Sequence, residues 1–70
     1  MSESVYKIIE LVGSSNISWE DAAKRAVETA AKTLKELRVA EIAKLDMTIE
    51  DGKVVTYRAK VNLSFKYLGE

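Results

Sequence analysis

The chain has no cysteine, no histidine and no proline, and its 70 residues include only three glycines. Without cysteine there can be no disulfide, thiolate metal site or thiol nucleophile. Without histidine there is no imidazole ligand, no serine or cysteine triad and no near-neutral proton shuttle. A metal, if bound, is then a hard cation held by oxygen. Charge of one sign is also missing, since eleven basic residues balance eleven acidic ones. No overall field draws the chain to nucleic acid or to a membrane surface. The apolar runs are short and broken by charge, which excludes a transmembrane helix. Residues 1–6 lack the basic and apolar regions of a signal peptide. A cytoplasmic location is the default expectation.

A chain of this length is expected to form one domain, residues 1–70, near the lower limit of independent stability. A single core of this size supplies about 3–5 kcal/mol, so small folds add disulfides, a metal or oligomerisation. With the first of these excluded, self-assembly is the leading candidate.

Residues 5–12 read as a strand, rich in β-branched side chains with one aromatic. Gly13-Ser14-Ser15-Asn16 follows as a loop of turn-forming residues. Ser18 is a good N-cap, with Asp21 in the position of a capping-box partner. Asp is shorter than the usual Glu there, which points to a role in the helix dipole. The helix over 19–37 carries Trp19, Ala22, Ala23, Ala26, Val27, Ala30, Leu34 and Leu37 on one stripe of helical period. That stripe is mostly alanine, so the helix can lie close to a sheet while bringing little volume to it. Residues 38–50 form a second strand, and Asp51-Gly52 is a two-residue hairpin turn. In the third strand Val55, Tyr57, Ala59, Val61, Leu63, Phe65 and Tyr67 alternate with polar residues, giving one apolar and one polar face.

These elements predict an α+β fold of order β-α-β-β. Strands two and three pair as an antiparallel hairpin, and a right-handed helical crossover carries strand one to a parallel strand two with strand three between them. The sheet order is 1-3-2, with one amphipathic helix across one face. A strand over 54–67 spans about 46 Å at ~3.3 Å per residue, whereas a helix over 19–37 spans only about 28 Å at ~1.5 Å. Apolar sheet is therefore left uncovered, around Phe65 and Tyr67 or at the hairpin end. Such a strip marks a protein interface, and the two edge strands offer unpaired backbone groups as well.

Val5-Tyr6-Lys7, Glu10-Leu11-Val12-Gly13-Ser14-Ser15, the alanine-rich helix, Ala40-Glu41-Ile42, Thr56-Tyr57-Arg58 and Val61-Asn62-Leu63-Ser64-Phe65 together resemble the dodecins over almost the whole chain. The resemblance implies a β-α-β-β subunit, twelve copies of which close into a hollow sphere of cubic symmetry. It further implies a flavin store or buffer in place of an enzyme. Flavin-binding members carry a tryptophan at the start of the second strand that stacks on the isoalloxazine ring, and Val39 stands there. They carry a glutamine in the third strand where this chain has Arg58, and bacterial members an arginine where it has Asp46. Valine offers no π face for stacking, and Asp46 inverts a charge suited to an anionic ligand. Ser18-Trp19-Glu20, Arg38-Val39-Ala40 and Asp46-Met47, with Ser64-Phe65-Lys66, look closer to a branch described as calcium-binding dodecins.

The candidate site residues follow. Val39 and Arg58 occupy the flavin positions, both substituted. Asp46, Glu50 and Glu41 are candidate cation ligands, with Asp46 and Glu50 on one strand face and Glu41 on the other unless a bulge intervenes. Calcium requires six to eight oxygens, so symmetry-related carboxylates would have to contribute. The competing reading pairs Asp46 with Arg58 in a salt bridge. Trp19 is expected at an intersubunit or packing contact, with Phe65 and Tyr67. Arg58, Lys60 and Lys66 on the polar face are expected to pair with acidic residues of the second strand. No aromatic is interleaved among them to stack nucleic-acid bases. Ser14, Ser15 and Ser18 have no base to activate them, so no enzyme is expected. The resemblance, with these substitutions at the flavin positions, implies a homododecamer storing a cation such as calcium. Flavin (FMN or riboflavin) held by Trp19 or Tyr57, or a ligand-free assembly, are the alternatives.

Overall fold

A computed structural model describes residues 5–67. Residues 1–4, part of the segment read above for leader features, and residues 68–70 lie outside the described residues. The elements are β1 (Tyr6–Ser15), α1 (Trp19–Ala31), β2 (Leu37–Glu50) and β3 (Lys53–Lys66). The sheet runs β1-β3-β2 with both neighbouring pairs antiparallel, as the hairpin and crossover argument requires. At the β2–β3 turn Asp51 and Gly52 both have positive φ, 52° and 76°, the backbone twist that matches two antiparallel strands. Among the described residues no helix is long and apolar enough to cross a membrane.

Two element boundaries differ from the sequence expectation. Gly13, Ser14 and Ser15 are strand, not loop, and pair with Ala59, Arg58 and Tyr57 of β3. The long partner strand supplies their hydrogen bonds, and that context overrides their turn propensity. Ser15 is buried; its hydroxyl donates to Asp21 Oδ2 at 2.6 Å and accepts from the Ile17 N–H at 2.9 Å.

The helix also ends early, at Ala31 instead of residue 37. The N–H groups of Thr33 and Leu34 both converge on the Ala30 carbonyl, at 3.1 and 2.9 Å. Glu36 then takes a positive φ of 64° to reverse the chain into β2. Leu34 and Leu37 do pack on the core as their spacing implied, but from the connector and from the first residue of β2.

Ser18 caps α1 by accepting from the Asp21 N–H at 3.0 Å. Asp21 does not reach back to complete a capping box. Its carboxylate instead takes the Ser15 hydroxyl and the Arg25 Nε at 2.6 Å each, tying the end of β1 to the second turn of the helix.

The core is thin. Ala22, Ala26 and Ala30 of α1 lie on Ala59, Val61 and Leu63 of β3. At Gly13 the first strand runs directly against the helix backbone. A β-carbon there would stand 2.0 Å from the Ala22 carbonyl oxygen and 3.0 Å from the Ala26 methyl. A helix of 13 residues spans only about 20 Å at ~1.5 Å per residue, on a molecule 55 Å long. The uncovered sheet is thus larger than the sequence implied. Ile42 and Leu45 stay exposed beside the helix, and Met47, Ile49 and Val55 stay exposed toward the hairpin end.

Gly13→Ala is expected to destabilise the fold by about 1–3 kcal/mol through overpacking, seen as a lower midpoint of thermal unfolding. The Asp21 carboxyl is held below its ordinary value of 3.8 chiefly by its hydrogen bond from Arg25 and next by that from Ser15. A carboxylate made more acidic by folding stabilises fully above the ordinary value and loses that contribution as pH falls through the depressed one. Asp21→Asn should therefore flatten the acid limb of stability below pH 3.8, measurable by thermal unfolding from about pH 5 to about pH 2.

Candidate functional site

The face of the sheet turned away from the helix carries the polar residues of β3. There the β2–β3 register sets Asp46 opposite Arg58. Arg58 Nε donates to Asp46 Oδ1 at 2.7 Å and Arg58 Nη2 to Oδ2 at 2.9 Å, a two-pronged pair that engages both carboxylate oxygens. The hydrogen bonds from Arg58, reinforced by its charge, hold the Asp46 carboxyl below the ordinary carboxylate range. Both side chains are about half exposed, so the pair contributes little to folding and leaves the carboxylate within reach of solutes.

Glu41 lies on this same face, not the opposite one. A register shift between Ile42 and Lys44 inserts Ala43 as an extra residue, so that Glu41 stands opposite Asn62 and Asp46 opposite Arg58. Without the bulge the odd spacing of Glu41 and Asp46 would set them on opposite faces. Glu41 Oε1 accepts from Asn62 Nδ2 at 3.5 Å, and Glu50 faces Lys53 across the hairpin end.

The three carboxylates share a face without converging. Glu41 and Asp46 are five residues apart and Asp46 and Glu50 four, which is about 13–16 Å along a strand. Among the described residues no three acidic side chains gather closely enough to hold a metal. The donor chemistry suits a hard cation, while the six to eight oxygens that calcium takes exceed what one chain brings together.

Asp46 is also held from the helix side. The Trp19 indole Nε1 donates to the Asp46 carbonyl at 3.0 Å, and the Trp19 ring meets Tyr57 edge to face with centroids 5.1 Å apart. Trp19 is half-buried and walls a groove of about 400 Å³ with Glu20, Ala23, Ile42 and Leu45. Val39 stands opposite Ser64 and is exposed, beside a hollow of about 160 Å³ that it lines with Val27, Leu37 and Leu63. Phe65 is half-buried between Lys7 and Leu37 on the flanking strands, and Tyr67 is exposed with the Lys7 ammonium 5.6 Å from its ring centre.

Of the basic residues of β3, Arg58 pairs with β2 as expected. Lys60 does not: its neighbour across β2 is Lys44, and its partner is Glu10 of β1 at 3.5 Å. The residues that sequence reasoning did not single out are Ile42, Leu45, Met47 and Ile49, the exposed apolar row of β2 on the helix side. Their signal was in the alternation of β2, hidden by the bulge that breaks its period at Ala43.

A family profile described as Dodecin matches residues 5–68. Calcium dodecin from Mycobacterium tuberculosis is 43% identical over 63 residues, covering 90% of this chain and 89% of that protein. A dodecin from Thermus thermophilus is 36% identical over 62 residues, covering 89% and 90% respectively. Among solved structures, the calcium-chelating antigen calcium dodecin of M. tuberculosis, described with a novel calcium-binding site, superposes with a TM-score of 0.82 at 43% identity and covers 96% of each chain. Dodecin from Streptomyces coelicolor superposes with a TM-score of 0.91 at 31% identity, over 100% of both chains.

Proposed function

Because this chain belongs to the dodecin family, we propose that it is a non-enzymatic protein that assembles into a hollow homododecamer and stores or buffers a divalent cation such as calcium. The observation that carries the choice of a cation over flavin is position 39. The dodecin resemblance assigns it to the ring-stacking residue, and here it is an exposed valine in a strand with no aromatic residue between 38 and 50. A valine cannot provide the π surface on which a flavin ring would stack. The identity with a calcium dodecin over 90% of the chain supports the same choice.

Assembly supplies what one chain lacks. The row from Ile42 to Ile49, with Trp19, Phe65 and Tyr67, gives an extended apolar surface whose burial against further copies removes it from water. Copies meeting at a symmetry axis would multiply whichever of Asp46, Glu41 and Glu50 lies at that axis, bringing together oxygens that one chain does not. Each chain would contribute carboxylate oxygens to a site completed by its neighbours, and storage makes or breaks no covalent bond.

A second reading, storage of FMN or riboflavin, is favoured by the groove beside Trp19, which has one aromatic wall and apolar sides.

Light scattering should give a mass near twelve copies of 7.8 kDa, about 94 kDa, falling to a smaller species in Leu45→Asp. A wild-type monomer would overturn the assembly. Titration calorimetry of the assembled protein with calcium chloride should show binding heat that Asp46→Ala abolishes. Purified protein carrying near-stoichiometric flavin absorbance, with no calcium heat, would replace this reading by the second one.

A further inference from the structure

We propose that Trp19 fixes the direction in which the two-stranded hairpin arm, residues 48–56, leaves the body of the subunit, and that closure of the assembly depends on that direction. The role in closure rests on the assembly reading, whereas the hold on the arm belongs to the single chain.

β1 ends at Ser15, opposite Tyr57, so beyond that pair β2 and β3 have no third strand beside them. The arm is a ribbon with Thr48 opposite Thr56, Ile49 opposite Val54 and Glu50 opposite Lys53. The Thr48 and Thr56 hydroxyls share a hydrogen bond at 2.5 Å, while Ile49, Val54 and Val55 are exposed. A two-stranded ribbon is marginal by itself and twists more strongly than a wider sheet. Two register shifts flank its root: Ala43 is an extra residue in β2, and Val55 is an extra residue in β3. Each such bulge bends its strand and raises its twist, so the ladder alone sets the direction of the arm only loosely.

Trp19 acts at the root, between the two bulges. Its indole Nε1 donates to the Asp46 carbonyl at 3.0 Å, and its ring meets Tyr57 edge to face with centroids 5.1 Å apart. Asp46 pairs with Arg58 and Met47 with Tyr57, so one side chain grips both strands within adjacent pairs. The other end of the grip is firm. Trp19 is the first residue of α1, whose start is capped by Ser18 and tied to β1 through Ser15, Asp21 and Arg25. An indole has a single donor and no acceptor, so this bond has one sense and one reach. Contacts between unlike patches of identical subunits close into a finite shell when the angle between subunits is right, and otherwise run on as open chains. The arm carries exposed Ile49 and Val55 into the surface that meets further copies, and its direction enters that angle.

Hydrogen exchange read by mass spectrometry, with light scattering on the same samples, tests this in wild type, Trp19→Phe, Trp19→Ala and Met47→Ala. Trp19→Phe keeps a ring against Tyr57 and loses the donor. It should speed exchange of the amides in residues 48–56 about three- to tenfold, with those of residues 9–13 at the wild-type rate. Trp19→Ala should speed the arm further, and both variants should turn one assembled species into a mixture of sizes. Met47→Ala trims the same apolar surface without touching the bond, and should keep one species and a protected arm. Wild-type exchange across residues 48–56 in both Trp19 variants would overturn the hold on the arm. An equal rise in residues 9–13 would overturn it too, since that marks a general loss of stability. A faster arm in a particle of unchanged size would overturn the role in closure alone. A monomeric wild type would overturn the assembly reading and the role in closure, while exchange in the arm would still decide whether Trp19 holds it.

Discussion

The contact between α1 and β1 at Gly13 is closer than any side chain would allow, and the rest of the architecture follows from that closeness. Ala22 and Ala26 approach the strand so nearly that a single methyl at Gly13 would collide with the helix backbone. A helix that packs this tightly must present alanine, and alanine fills little volume. The buried set is accordingly three alanines over a small residue, a valine and a leucine. A core so thin leaves little hydrophobic stabilisation for the domain standing alone. Most of β2 has no helix above it, and the extent of apolar sheet left uncovered originates in the choice of glycine and alanine at this one crossing.

Asp46 shows how a three-stranded sheet can carry different work on its two sides. Its carboxylate faces the polar surface and Arg58, while its main-chain carbonyl is taken by an indole that belongs to the apolar side. Trp19 opens the helix, so the position of the helix start and the position of the acidic group are set together. The Ser15, Asp21 and Arg25 bonds fix the same end of the helix to β1. All three strands thereby contribute to where one carboxylate stands, although only two of them border it.

Much of this was legible in the sequence, for reasons that differ by element. The alternation of β3 and the Asp51-Gly52 turn are local signals with one structural solution, and the strand order followed from handedness and loop length. Salt bridging between Asp46 and Arg58 was legible as an alternative because hairpin register brings them opposite each other. The helix end was not legible. Leu34 and Leu37 continue the helical period by position, yet reach the core from irregular chain and from β2, and spacing alone cannot distinguish these. Ser14 and Ser15 were misread because a long partner strand decides their conformation from more than forty residues away. The common face of Glu41 and Asp46 depends on a bulge at Ala43, whose residue type carries no mark of it.

That bulge has a consequence for how relatives of this chain are compared. It acts as a phase counter within β2, keeping both halves of the strand in step with β3 despite an odd interval between them. A one-residue gap at this place would exchange the two faces of half the strand, moving its carboxylates to the apolar side and its aliphatic side chains into solvent, while hardly altering percentage identity. For this fold, the number of residues between Glu41 and Asp46 carries information about the polar face that identity scores do not count.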